Sequence, residues 1–304
     1  MFLTICLNPT LQKTLCFSSV VPGAVNRTAV HRLDASGKGI NVTRVLTQLG
    51  KKVIHLTQLG GAMRPLFLSL CEQDELSVEW VESNSEIRFC YTVLNESDNK
   101  VTELVEESQP VAAGTEERLL EKFNELMENK SLNLSCLIIS GTKAAGFSDT
   151  VIPGMARKAK EKGLRVILDI KGNDLIESLQ CEPDIIKPNF DEFVETFNKK
   201  PGKDMLIELA RKHKCRIILT NGRRKILVVE KNNYFELAVP VVKARADNAA
   251  YNTTGCGDAF TAGLAAALED SWSAKEPLDF NMAINEGIRC GALNVTIVKP
   301  GVIR

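Results

Sequence analysis

Short runs of apolar residues alternate along this chain with stretches in which apolar positions recur every three to four residues. The runs 2–7, 53–59, 134–140, 164–170, 184–187 and 215–220 are brief and rich in Ile, Val and Leu, which predicts strands. Between them the spacing predicts helices. Ile40, Val42, Val45, Leu46 and Leu49 form one apolar stripe closed by Gly50, and 150–162 is closed in the same way by Gly163. Residues 257–268 are nearly all small or apolar and read as a buried helix, with Thr254 as its N-cap. Strand and helix in alternation imply right-handed βαβ crossovers. The expected fold class is therefore α/β, with a mostly parallel sheet covered by helices on both faces and ligands beyond the carboxyl ends of its strands.

Two segments break the alternation. Residues 11–33 and 87–105 carry hairpin patterns, with turn residues at Pro22-Gly23 and at 95–99, and neither leads directly into a helix. They form either a pair of edge hairpins or one small sheet that projects from the main one as a lid. No internal repeat, low-complexity tract or long linker divides the rest. The expected organisation is one domain over 1–304 with a discontinuous β lid from about 11–33 and 87–105.

Charge and cysteine usage narrow the partners. The chain of 304 residues carries 38 basic and 38 acidic side chains, so no global field draws in nucleic acid or an anionic membrane, and any anion must be held by local groups. The apolar start stops at Asn8-Pro9, too soon for a signal peptide, and no transmembrane run follows. Nine cysteines without a Cys-x-x-Cys spacing indicate reduced thiols and a cytoplasmic protein. His31, His55 and His213 lie far apart, without metal-ligand spacing.

The richest candidate chemistry lies in Thr253-Thr254-Gly255-Cys256-Gly257-Asp258. Gly255 and Gly257 let a ligand approach the free amides at the start of the late helix, where the helix dipole favours an anion. Asp258, inside the first turn, either accepts a proton from an attacking hydroxyl or only complements the helix terminus. Gly37-Lys38-Gly39-Ile40-Asn41 places flexible backbone, a cation and an amide at another helix start. It suits a hydroxyl-rich or phosphorylated ligand, or is a Gly-rich entry turn with Lys38 in solvent. It is not a Walker loop, since Gly39 follows Lys38 where Ser or Thr is required, and no Rossmann glycine fingerprint is completed. Asn189 and Glu192 at the head of a helix either cap it or organise a hydrated Mg²⁺. The turn Thr220-Asn221-Gly222 ends a strand before another β run at 226–230, and either contacts a nucleotide or only joins a hairpin.

Taken in order, these segments resemble the PfkB (ribokinase-like) carbohydrate kinase family over essentially the whole chain, and especially its sugar-phosphate kinases acting on fructose 1-phosphate or tagatose 6-phosphate. The resemblance rests on Leu7-Asn8-Pro9, 22–27 with Arg27, 37–42, Lys187-Pro188-Asn189 with Glu192, and Gly255-Cys256-Gly257-Asp258. It implies a three-layer α/β/α sandwich with a small β lid, and an ATP-dependent phosphotransferase with an alcohol acceptor. Asp258 then matches the catalytic base, and Gly255, Cys256 and Gly257 the anion hole. Gln12, Arg27, Gly37, Lys38, Gly39, Asn41 and Arg88 fall on the substrate side, with Arg27 and Arg88 near a substrate phosphate. Lys187, Asn189, Glu192, Thr220, Asn221, Gly222 and Asn285 fall on the nucleotide side, with Asn189 and Glu192 meeting Mg²⁺ through water. The family also leaves room for a monovalent cation and for a homodimer joined through the lid.

The departures concern the sugar end. Relatives carry Asp where this chain has Gln12, which loses a charge-assisted hydrogen bond to a sugar hydroxyl. Ser36 replaces a common glycine, and Lys143 and Lys171 add cations near the carboxyl edge, to meet phosphate or to face water. Two other readings remain open at this stage: a regulatory binder of sugar phosphates without turnover, and a kinase of a non-phosphorylated sugar or nucleoside.

Overall fold

The computed structural model describes residues 1–242, 252–274 and 279–304. Its main sheet has nine strands: β1 (Phe2–Leu7), β4 (Val53–Leu59), β5 (Val78–Glu82), β8 (Cys136–Lys143), β9 (Arg165–Asp169), β10 (Ile185–Ile186), β11 (Arg216–Leu219), β12 (Ile226–Glu230) and β13 (Asn233–Leu237). They lie in the order β13-β12-β11-β10-β9-β8-β1-β4-β5. Neighbours from β5 to β11 are parallel, while β12 and β13 continue the sheet antiparallel. The strand order reverses between β1 and β8, and such a reversal opens a crevice at the carboxyl edge.

β1 is central, and its residues are buried on both faces, as a continuous apolar run requires. Leu3, Ile5 and Leu7 join the apolar layer under α3 (Thr115–Glu128), α4 (Val151–Glu161), α5 (Gly172–Ser178), α6 (Phe190–Phe197) and α7 (Lys203–Lys212). Phe2 faces the opposite layer, built with α1 (Lys38–Gln48), α8 (Cys256–Ala274) and α9 (Phe280–Asn294). The result is three layers. The stripe on α1 is buried at Ile40, Val42, Val45 and Leu46, and the helix closes at Gly50 with φ 74. Gly163, φ 78, closes α4 in the same way.

A second sheet, in the order β3-β2-β6-β7, is made of β2 (Thr10–Phe17), β3 (His31–Ser36), β6 (Arg88–Asn95) and β7 (Lys100–Val105). β2 pairs antiparallel with β3 and parallel with β6, so the two sequence segments join into one sheet rather than standing as separate hairpins. Its root is fixed by an apolar cluster in which Leu11, Ala35 and Ile87 pack with Phe67 and Cys71 of α2 (Arg64–Gln73).

Several expectations change in detail. Pro22-Gly23 does make a turn, with Ala24 N donating to Val21 O at 3.3 Å, but it sits inside a loop over 18–30. Asn26 holds that loop by bonding the backbone of Val21 in both directions, and the strands stop well short of the turn. β5 and β13 have no predicted counterpart. They are edge strands, and their mixed apolar and polar residues reflect one exposed side. The β11–β12 connection at Thr220-Asn221-Gly222 is an antiparallel hairpin turn. All nine cysteines are free thiols. Among the described residues no helix is long and apolar enough to cross a membrane.

Candidate active site

β3 runs into α1 through Gly37, whose φ of 115 glycine tolerates at no steric cost. At Gly39 a Cβ would lie 2.7 Å from Cys6 Cβ and 2.9 Å from His55 Cε1, so glycine there lets α1 pack directly on β1 and β4. That approach aims two side chains of α1 over the carboxyl edge of the sheet. Lys38 Nζ donates to Glu192 Oε1 at 2.6 Å and Asp169 Oδ1 at 3.3 Å. Asn41 Nδ2 donates to Asp258 Oδ2 at 2.8 Å. Lys38 is therefore engaged in ion pairs, not free in solvent, and although burial opposes its charge, Asp169 and Glu192 hold its pKa above the ordinary value.

Asp169, the last residue of β9, is the buried centre of this cluster at 1% exposure. It accepts from Thr261 Oγ1 at 2.9 Å and pairs with Lys187 Nζ at 3.0 Å. Burial works against its charge, yet Lys187 and Lys38 keep its carboxyl below the usual range. Lys187 follows β10 directly, and Asn189 then opens α6 with a reciprocal capping box. Asn189 Oδ1 accepts from Glu192 N at 2.8 Å, and Glu192 Oε2 accepts from Asn189 N at 2.9 Å. With its other oxygen on Lys38, Glu192 has both oxygens engaged. A divalent cation here fits only as a hydrated ion met through its waters, not as one bound directly by this pair.

At the start of α8, Gly255 has φ 84, and a Cβ there would lie 2.8 Å from Gly301 N. Among the described residues the amides of Gly257 and Asp258 meet no backbone acceptor, the usual condition of a first helical turn. Among the described residues a Cβ on Gly257 would meet only Lys187 Nζ, at 3.7 Å, so this side of the turn faces a cation. Free amides, a helix terminus and Lys187 together fit an anionic phosphoryl group. Asp258 is 5% exposed. Burial pushes its carboxyl up to about 6 against the pull of Lys38, while Asp169 pushes it further up. Cys256 stays a thiol, raised to about 12 by burial and by Asp258.

Thr254 does not cap α8 as expected. Its hydroxyl donates to Glu103 Oε1 of β7 at 2.7 Å, because the small sheet reaches down to this point. That sheet closes a cavity of about 380 Å³, contributing Thr10, Gln12, Arg88, Cys90 and Glu103 opposite Lys38, Asn41, Lys187 and Asp258. Gln12 Nε2 donates to Thr92 Oγ1 at 2.6 Å. Arg88 gives one Nη1 bond to Glu106 O at 3.3 Å, while its buried Nε has no partner among the described residues. A second cavity, of about 390 Å³, lies behind α1 beside Arg44, Asp74 and Lys299. It shares no lining residue with the first, and two of its three cations, Arg44 and Lys299, are paired with Asp74.

Gln12, Gly37, Lys38, Asn41, Arg88, Lys187, Asn189, Glu192, Thr220, Gly255, Gly257 and Asp258 thus meet around one cavity. Gly39 and Cys256 stand just behind its wall as packing and backbone. Arg27 does not join them, since it is exposed in the 18–30 loop that β2 and β3 leave outside the sheet. Asn221 and Gly222, in the β11–β12 turn, and Asn285, on the exposed face of α9, do not line the cavity. Lys143 pairs with Asp149 and Asp174, and Lys171 with Glu195, which leaves neither facing the cavity. The sequence reading missed Asp169, Thr261 and Glu103. Asp169 had a usable signal, a carboxylate ending a predicted strand on the ligand edge. Glu103 had none, because its place depends on how two distant segments pair.

A cavity of about 380 Å³ with a buried carboxylate at a helix start, set under a small sheet on an α/β sandwich, suits a phosphotransferase with an alcohol acceptor. Comparison with known proteins makes this specific: the chain belongs to the pfkB family of carbohydrate kinases, whose family model matches residues 14–298. It is similar to a tagatose-6-phosphate kinase of Staphylococcus epidermidis, 28% identical over 276 residues that cover 88% of this chain and 85% of the relative. In fold it is similar to phosphofructokinase-2 from Escherichia coli in complex with potassium, with a TM-score of 0.82 at 21% identity over 97% of this chain and 93% of that one. It is likewise similar to a protein described as a possible 1-phosphofructokinase from Thermotoga maritima, with a TM-score of 0.83 at 18% identity over 98% and 92% of the two chains.

Proposed function

We propose that this kinase transfers the terminal phosphoryl group of ATP to a hydroxyl of a hexose phosphate, of the fructose 1-phosphate or tagatose 6-phosphate type. The observation that carries the reading is Arg88, which lines the same cavity as Asp258 and whose buried Nε has no partner among the described residues. A planar guanidinium with an unused donor is suited to a phosphate on the acceptor. Asp258 is the general base. Its carboxyl titrates near 6, close enough to neutral pH to accept a proton from the acceptor hydroxyl as the new bond forms. The amides of Gly257 and Asp258, with Lys187, receive the negative charge of the transferring group. Asp169 and Glu192 hold Lys38 at the edge of this path.

A hydrated Mg²⁺ beside Asn189 and Glu192 would neutralise phosphoryl oxygens of the nucleotide. The small sheet excludes water over the site and so limits loss of the phosphoryl group to hydrolysis. Val21, Val25, Val30 and Leu104 are exposed on that sheet and its loop, which supports a homodimer formed through the lid of a cytoplasmic enzyme.

The test is ADP release from ATP and Mg²⁺ with a panel of hexoses, nucleosides and hexose phosphates. Turnover of one hexose phosphate well above all unphosphorylated acceptors is expected. Preferred turnover of a free sugar or a nucleoside would overturn the substrate reading. Potassium-for-sodium exchange in the same assay measures monovalent-cation dependence.

A further inference from the structure

The base is held by an amide, and an amide can be turned end for end. Asn41 presents Nδ2 to Asp258 Oδ2 at 2.8 Å. Rotated by half a turn, it would set a carbonyl oxygen against the carboxylate, an arrangement that suits only protonated Asp258. Two donors sit at the other end of the same amide. Arg44 Nη1 lies 3.0 Å from Asn41 Oδ1, and Ser36 Oγ lies 3.1 Å from it. A guanidinium carries donors and no acceptor, so the atom it meets must be the oxygen.

We propose that Arg44, assisted by Ser36, is a positioning residue for phosphoryl transfer: it locks the Asn41 amide so that its N–H faces the Asp258 carboxylate. This rests on the role proposed above for Asp258. Arg44 is suited to the task because nothing about it is free to move. It is 3% exposed and follows Asn41 by three residues on α1, so the two side chains share a face. Its Nε donates to Asp74 Oδ2 at 2.8 Å, its Nη1 also to Pro300 O at 2.9 Å, and its Nη2 to Ala35 O at 2.5 Å. Lys299 also pairs with Asp74, and Arg44 and Lys299 hold that carboxyl below its ordinary pKa although burial opposes its charge. The guanidinium is thereby pinned from the end of α2, from the C-terminal segment and from β3.

Ala35 and Ser36 both belong to β3 of the small sheet. The position of that sheet therefore enters the alignment of the base through these two contacts. The other groups facing Asp258 come from separate elements: Lys38 on α1, Asp169 at the end of β9, Lys187 after β10, Cys6 on β1 and Cys256 on α8. None of these five is hydrogen-bonded to Arg44, so a change at Arg44 reaches the base through Asn41.

The experiment is a double-mutant cycle read in two ways. Carboxyl ¹³C NMR follows the Asp258 titration in the ligand-free protein, with Asp258→Asn assigning the resonance, and kcat is measured alongside. Arg44→Lys keeps the charge but cannot hold the same set of acceptors. In the Asn41 background it is expected to raise the Asp258 pKa by about half to one unit and to lower kcat about tenfold, because a donor to the charged form is no longer fixed. In an Asn41→Ala background the same substitution should change neither. An unmoved titration, or equal effects in both backgrounds, overturns the proposal and leaves Arg44 as packing alone. Ser36→Ala, which removes a single hydroxyl, supplies the same cycle if Arg44→Lys does not fold. Failure of the underlying reading is separable: Asp258→Asn retaining turnover would remove the base, whatever the titration shows.

Discussion

Replacing Asp258 by Asn should abolish turnover and at the same time stabilise the fold at neutral pH. The carboxyl is 5% exposed and titrates at about 6 instead of 3.8, chiefly because burial penalises its charge. For an acid with a raised folded pKa the linkage is unfavourable. Below about pH 4 both folded and unfolded states are protonated and the group contributes nothing. Between about 4 and 6 the unfolded chain loses the proton first, so stability falls as pH rises, and above 6 the full cost persists. Two units at roughly 1.4 kcal/mol each give a cost of about 3 kcal/mol at pH 7. Asn removes the charge, retains an oxygen for the Asn41 N–H and leaves Lys38 paired with Asp169 and Glu192. With a urea dependence of about 3 kcal/mol/M for a chain of this size, the unfolding midpoint should rise by about 1 M at pH 7. At pH 4 the gain should shrink to a few tenths of that. Steady-state assay with the preferred acceptor should show kcat reduced by about 10³-fold or more. A variant no more stable than the parent at pH 7, or one whose gain is the same at pH 4, would refute the claim that the fold strains this carboxylate. Wild-type turnover in the variant would refute its role as base.

Asp169→Asn should act in the opposite sense on stability. It leaves Lys187, which is buried, without its carboxylate, and urea unfolding should show a loss of about 3 kcal/mol, whereas a loss below about 1 kcal/mol would show that Lys187 finds another partner. Because Asp169 raises the Asp258 pKa, the acid limb of kcat/KM should move to lower pH in any of this variant that folds. Arg88→Ala should raise KM for the phosphorylated acceptor by about tenfold or more with a smaller effect on KM for ATP. Equal effects on both substrates would place Arg88 at the nucleotide instead. Arg27→Ala, exposed and outside the cavity, should change either KM less than twofold in a dilute monomer.

The alternation of apolar runs and amphipathic stretches was enough to read the layers, because a buried parallel strand and a helix stripe each leave a local periodicity. The stripe ending at Gly50 and the one ending at Gly163 show this directly, each closing at a left-handed glycine. Edge strands β5 and β13 escaped because one-sided exposure dilutes that signal. The cluster at the start of α8 was legible for a similar reason: Gly255, Gly257 and Asp258 are neighbours in sequence, so a helix start brings them together without help from the rest of the fold.

Wherever function depends on distant segments, the sequence was silent. Asp169 and Lys187 become one buried ion pair only because β9 and β10 are adjacent in the sheet. Glu103 reaches Thr254 only because the small sheet leans over α8, and that contact takes the hydroxyl that local reading assigned to a helix cap. The order of residues determined which elements form and which short motifs they carry, since both follow from local periodicity and backbone geometry. Tertiary structure alone decided which charges neutralise one another, which amide meets the Asp258 carboxylate and which candidate residues, such as Arg27 and Asn285, stand outside, because those depend on burial and on distances between strands and helices far apart in the chain.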